Sequence, residues 1–271
     1  MREASRESFL QKDVDKARTA TGALLENLLY HGAAEVLEAL LENPRLGEQH
    51  LALLLSRRDL PREIVTRIAQ NKDWMKSYPL KLAVVKHPRA PRHLALPQLK
   101  FLYLFDLMGV TTTEGISVEL KRVAEDAILN QREGIALGQR LTLARRGSQR
   151  IVAGLLNDSD RRVIEVALSN PSLTEHSIAT ALLREQAPHG LTEVVAAHPR
   201  WSNRYLIKVA LVRSQHLSLG RFIGILSELP TKDLVDLSTD PRVASNLREY
   251  VARVVQTRRS RTKTSSSPLQ K

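Results

Sequence analysis

Three groups of residues in this chain have the types and spacing that chemistry needs. Trp74 and Tyr78 stand four apart, the spacing that puts two side chains on one helical face, and Asp73 adjoins the tryptophan. An aromatic face beside an acid is a candidate for holding and attacking a damaged base. Eight histidines raise the question of a metal. They are scattered, His87 and His93 have two prolines between them, and no His-x-x-x-His or carboxylate–His pair shares a helical face. No metal site is therefore expected. With no cysteine, disulfides, Cys-ligated zinc and iron–sulfur clusters are excluded. There is no G-x-S-x-G turn, P-loop or dinucleotide fingerprint; Gly109 and Gly147 are isolated glycines. No catalytic nucleophile and no cofactor are expected, and the chain reads as a non-enzyme. The third group is basic, and its spacing emerges only from the way the chain is built.

The elements that must position these residues come from a repeat. NPRLGEQHLALLLSR begins at Asn43 and NPSLTEHSIATALLR at Asn170, 127 positions later. The register holds without gaps: Leu10 meets Leu137, Trp74 meets Trp201, Tyr78 meets Tyr205, Asp106 meets Asp233 and Leu120 meets Leu247. Over residues 36–86, 17 of 51 positions are identical, several times what this composition gives by chance. An internal tandem duplication is expected, copy one at about 10–130 and copy two at about 137–256.

Within each copy, Asn, His or Asp before proline recurs at Asn43, His87, Asn170, His198 and Asp240. The polar residue closes one helix, and the proline stops its continuation while suiting the first turn of the next. Between corners the apolar spacing is helical. Leu173–Leu183 carries its apolar residues behind Thr174, a candidate N-cap, and Val118, Leu120, Val123, Ala124, Ala127 and Ile128 form a stripe. Val163, Ile164, Val166, Ala167 and Leu168 are dense enough for a helix buried on two sides. Pro79 lies within 74–86, so that segment must kink or start a helix near Tyr78. No strand pattern is needed. The apolar share of 42% against only 4% aromatic suits helix stacked on helix. The predicted fold is all-α: an α-solenoid of short helical repeats forming one domain over 1–256.

The segment LARRGSQRIVAGLLNDSDRRVIEVALSNPSLTEHSIATALL, from Leu143, resembles bacterial leucine-rich-repeat-variant and HEAT-like repeats. There an Ala/Leu-rich helix precedes an Asn-Pro corner and the next helix starts just after it. Counting both copies, the resemblance covers about residues 10–256. It implies an armadillo-type superhelix with a concave binding face, and no activity. The cysteine-ligated cluster domain of some such proteins cannot apply here. Some HEAT-like DNA glycosylases set aromatic and acidic residues against a damaged base, the reading open to Trp74 and Asp73. The pattern W-x-x-x-Y-x-x-K recurs in both copies, however, and Arg200 replaces Asp73 in the second. A packing position is needed in every copy; an active site is usually needed once. Core packing is the preferred reading of Trp74 and Trp201.

The same register defines the basic group. Lys81 matches Lys208, Lys86 matches Arg213, Arg57 matches Arg184 and Arg18 matches Arg145. On stacked helices such positions line up and would form a positive groove for a partner. Their ordinary explanation is solvated helix ends, where cations suit the C-terminal dipole. Arg145, Arg146, Arg150, Arg161 and Arg162 form the densest basic stretch. Net charge is +12, and six Lys or Arg with no acid follow Arg253 inclusive. The segment 257–271, with too little apolar content to pack, is expected to be a disordered basic tail, solubilising or contacting nucleic acid or an anionic membrane.

These features lead to a scaffold that binds a protein segment or acidic surface along its solenoid face, with a nucleic-acid module as the alternative and a HEAT-like base-excision enzyme as the last. The absence of cysteine fits a reducing cytoplasm. No apolar run is long enough for a transmembrane helix, and the first residues, MREASRESFLQKDVDK, do not read as a secretory signal.

Overall fold

The computed structural model describes residues 2–131, 134–214 and 216–265, and these form helices and turns with no strand. The chain divides into two compact units, Met1–Glu133 and Gly134–Lys271. Among the described residues each unit holds nine α-helices. In the first they are α1 Arg2–Thr19, α2 Gly22–Leu28, α3 Ala34–Leu41, α4 Glu48–Ser56, α5 Arg62–Gln70, α6 Tyr78–Lys86, α7 Arg92–Ala95, α8 Leu104–Thr112 and α9 Val118–Asn130. In the second they are α10 Leu137–Arg146, α11 Gln149–Leu155, α12 Arg161–Leu168, α13 Glu175–Leu182, α14 His189–Ala197, α15 Tyr205–Arg213, α16 Leu219–Glu228, α17 Thr231–Thr239 and α18 Ser245–Ser265. The bounds of α2, α3, α5, α6 and α8 recur, at the offset that separates Asn43 from Asn170, in α11, α12, α14, α15 and α17.

Helices this short are marginal alone and persist because each buries its apolar stripe on a neighbour. In unit one α3 packs on α1 and on α5, and α5 on α7, while α6 packs on α4 and on α8. In unit two α12 packs on α10 and α14, and α13 on α11 and α15. Many of the helices thus lie on the one two places earlier, whereas α9 packs on α8 and α18 on α17. The core between the helices is aliphatic: Leu25, Leu37, Leu40, Leu54, Ile64, Ile68 and Leu80 in unit one are fully buried. Val163, Ile164, Ala167 and Leu168 of α12 are buried as their density predicts. The α9 stripe is narrower than predicted: Leu120, Ala124 and Ile128 are buried, whereas Val118 and Val123 are exposed.

Local chemistry sets the starts. The side chains of Ser77, Ser117, Asp160 and Thr174 accept N–H groups of the first turns of α6, α9, α12 and α13. Pro79 falls in the first turn of α6, where its missing N–H costs nothing. The helix therefore starts at Tyr78 without a kink. Trp74–Lys76 is a separate 3-10 turn and Ser77 is extended, so Trp74 and Tyr78 do not share a helical face.

The expected tail begins at residue 257, within the last helix of unit two. Helix α18 continues to Ser265. Within it the Arg258 guanidinium donates to the carbonyls of Leu226, Ser227 and Leu229 at the end of α16, at 2.8, 3.0 and 2.6 Å. The remaining tail positions, 266–271, lie outside the described residues. No helix among the described residues is long and apolar enough to cross a membrane.

Candidate functional site

The polar residues of the corners share one geometry. At His31, Asn43, Asn71, His87, Asp158, Asn170, His198 and Asp240 the side-chain Oδ1 or Nδ1 accepts the backbone N–H two residues on, at 2.8–3.2 Å. This is why Asn, Asp and His exchange at these places: each carries an acceptor at the same distance from Cα. The other end of several of these side chains reaches an earlier turn. Asn43 Nδ2 donates to the carbonyls of Ala17 and Ala20, Asn170 Nδ2 to those of Ala144 and Arg145, and His87 Nε2 lies 2.9 Å from the Arg57 carbonyl. The corner closes its own turn and fastens the helix pair to the one before. His31, Asn71 and Asp158 lack the following proline, so the Asn-Pro signature passes over them. The tandem register is the signal that could have found all three, since it pairs Asn71 with the corner residue His198 and makes His31 and Asp158 each other's counterparts.

The histidines are largely absorbed by this framework. His50 Nδ1 accepts the Gly47 N–H at the start of α4, and the rings of His189 and His216 stack with centroids 3.7 Å apart. No group of three His, Asp or Glu side chains is gathered for a metal among the described residues.

At His87, Nδ1 accepts from Arg89, so the neutral ring carries its proton on Nε2 and donates it to Arg57. Burial lowers the His87 pKa from 6.5, the nearby Arg89 charge acting in the same direction, and burial lowers that of His198 likewise. The fold then prefers neutral histidine while the unfolded chain takes up the proton first. This contribution is present above about pH 6.5 and is lost as the pH falls through the lowered folded-state value. Urea midpoints measured from pH 8 down to pH 5 should fall, and they should fall less in His87→Asn, which keeps the turn acceptor and cannot protonate; an equal fall in both would rule out His87 as a source.

Matched basic positions have different partners. Arg57, with its side chain 12% exposed, donates to the carbonyls of Leu29 and His31 beyond α2 and pairs with Asp59 at 2.9 Å. Its match Arg184 is exposed. Lys81 Nζ lies 4.5 Å from the centre of the Phe101 ring, whereas Lys208 pairs with Glu228. Lys86 lies against Gly109 on α8, and Arg213 pairs with Asp240 at 2.7 Å. Arg18 pairs with Glu42 at 3.2 Å; Arg145 and Arg146 end α10 exposed. Arg150 is exposed on α11, while Arg161 pairs with Glu165 and Arg162 with Asp160, whose carboxyl the Arg162 guanidinium holds down to about 2. Of these cations Arg57, Arg161, Arg162, Lys208 and Arg213 meet carbonyls or carboxylates, and Arg145, Arg146, Arg150 and Arg184 are exposed. Arg89 and Arg221 clamp carbonyls in the same manner, a use that spacing in sequence does not disclose.

The aromatic candidates separate. Trp201 is buried, and its Nε1–H donates to the Leu168 carbonyl at 2.8 Å. Trp74 rests half-buried against the core of unit one. Asp73 is exposed and pairs with Lys76 at 2.7 Å, which holds its carboxyl below the usual range. Tyr78 donates to Asp106, and Tyr205 to Asp233 at 2.7 Å. Burial and then the Asp106 bond raise the Tyr78 pKa, while the Asp233 bond leads for Tyr205. These tyrosines are framework joints present in both units.

The chain thus defines an all-α protein of short helices packed on their neighbours. Comparison with family models, with curated proteins and with solved structures finds no match.

Proposed function

We propose that the chain is a non-enzymatic helical-repeat scaffold, HEAT- or armadillo-like and built by internal duplication, that binds a macromolecular partner along the faces of its helices in the cytoplasm. The observation that supports this is the recurrence, at one constant offset, of helix bounds and of the corner bonds of Asn43 and Asn170. Repeats fastened one to the next create long exposed faces without a closed pocket, and such faces bind extended partners. A protein segment or acidic surface is the leading partner. A nucleic acid is the second, and one observation favours it: lysines set around exposed aromatic side chains in unit one.

The test is a binding titration of the full chain against acidic peptides, single strands and duplex DNA at several salt concentrations. The protein-partner reading expects a peptide to bind with shallow salt dependence. Steep weakening with salt for an oligonucleotide moves the assignment to the second reading. Release of free bases from alkylated DNA would sink the non-enzymatic reading.

A further inference from the structure

Aromatic residues make up only 4% of this chain, yet four stand at or beside the starts of α6 and α8 in unit one: Tyr78, Phe101, Tyr103 and Phe105. The rings of Tyr78 and Tyr103 lie 4.5 Å apart, and Tyr103 N–H donates to the Tyr78 hydroxyl. Phe101 and Phe105 flank Tyr103 in sequence. Phe101 is 48% exposed, Tyr103 70% and Phe105 45%. Single exposed apolar residues are ordinary; a cluster is informative. Lys81 and Lys100 both place their ammonium groups over Phe101, at 4.5 and 4.9 Å from its centre.

Unit two shows what this surface looks like without the aromatics. At the matching positions Phe101, Tyr103 and Phe105 become Glu228, Pro230 and Lys232, while the Tyr–Asp joint is kept. Glu228 neutralises Lys208. In unit one the same lysine faces an aromatic ring and the Lys76 carbonyl, where its counterpart faces a carboxylate, so no acid neutralises its charge there. Packing needs are common to both units; these aromatics belong to one, and they are exposed.

We propose that this surface binds single-stranded nucleic acid, bases stacking on the open faces of Tyr103 and Phe105 and phosphates meeting Lys81 and Lys100. Single-strand binders combine cations with aromatic platforms in this way. Protein interfaces instead keep lysine out of their aromatic centres. The inference rests on the macromolecule-binding reading above and selects its second partner.

The full chain is titrated with fluorescein-labelled oligothymidylate and oligouridylate, followed by anisotropy, with duplex DNA alongside. Tyr103→Ala should weaken single-strand binding about fivefold or more, and Tyr103→Phe should leave it near the parent value. Phe101→Glu, which installs the unit-two pair, should weaken it as well. Leu219→Ala, an exposed position in unit two, should not. Equal binding by parent, Tyr103→Ala and Phe101→Glu would overturn the proposal and move the contact elsewhere. Absence of oligonucleotide binding at low salt would also overturn it. If a labelled acidic peptide then binds and is lost in Tyr103→Ala, the scaffold reading survives with a protein partner; if no peptide binds either, both fall.

Discussion

Trp201→Ala is expected to lower the free energy of unfolding by about 3–5 kcal/mol. Trp201 is 3% exposed, so truncation removes most of a large buried surface and leaves a cavity that short packed helices fill poorly. It also leaves the Leu168 carbonyl at the end of α12 without the indole donor. The Arg200 guanidinium, 4.3 Å from the ring, loses its stacking partner. Trp201→Phe separates these effects: it keeps most of the packing, loses the donor, and should cost about 1–3 kcal/mol. Trp74→Ala should cost less than Trp201→Ala, because Trp74 is only half-buried. Urea unfolding followed by circular dichroism reads all three. A Trp201→Ala protein as stable as the parent would defeat the packing assignment and return the tryptophan to the candidates for partner contact.

That contrast marks how far the sequence reaches. Pairing Trp74 with Trp201 was enough to predict packing, because a role needed in both units leaves a trace in both. It overstated their likeness: Trp74 is half-buried, whereas Trp201 is buried, and Arg200 for Asp73 puts a cation over its ring. The helices were legible for a related reason. Corner residues followed by proline stop a helix by local sterics, so Asn43, His87 and Asn170 mark boundaries wherever the helices come to lie. Composition measures apolar content and so gives no sign that Arg258 meets three carbonyls on another helix.

The basic positions show the same limit more sharply. Retention of Lys81 and Lys208 suggested a shared task, but the task of a lysine is set by what faces it. Phe101 and Glu228 occupy that facing position, and they differ. Retained residues therefore locate the scaffold, and the positions that diverge between units while staying exposed locate what one unit adds to it. The candidate surface at Phe101, Tyr103 and Phe105 lies among the divergent positions, where a search for repeated residues could not find it.

Asn43→Ala and Asn170→Ala should each destabilise the protein by about 2–4 kcal/mol, since each strands several buried backbone groups at once. Both residues are 4% exposed. Asn43 donates at 2.8 and 2.9 Å to the carbonyls of Ala17 and Ala20 and accepts from Arg45; Asn170 repeats this with Ala144, Arg145 and Ser172. Asn→Asp is the sharper experiment. It keeps the acceptor but turns a carboxylate oxygen toward two carbonyl oxygens in a buried site, so at neutral pH it should be worse than alanine. The same crowding raises the folded-state pKa of the new carboxyl. Its penalty is then full above that raised value and shrinks as acid restores a proton that can be donated, so acidification helps this variant while it weakens the parent through His87. Asn→His should be the mildest change, because a neutral ring with its proton on Nε2 offers the acceptor and the donor that His87 already uses at its own corner. The expected order of damage is aspartate, alanine, histidine, measured by urea midpoint at pH 7. An aspartate variant as stable as the alanine variant would show that the amide donor does not hold the repeats together.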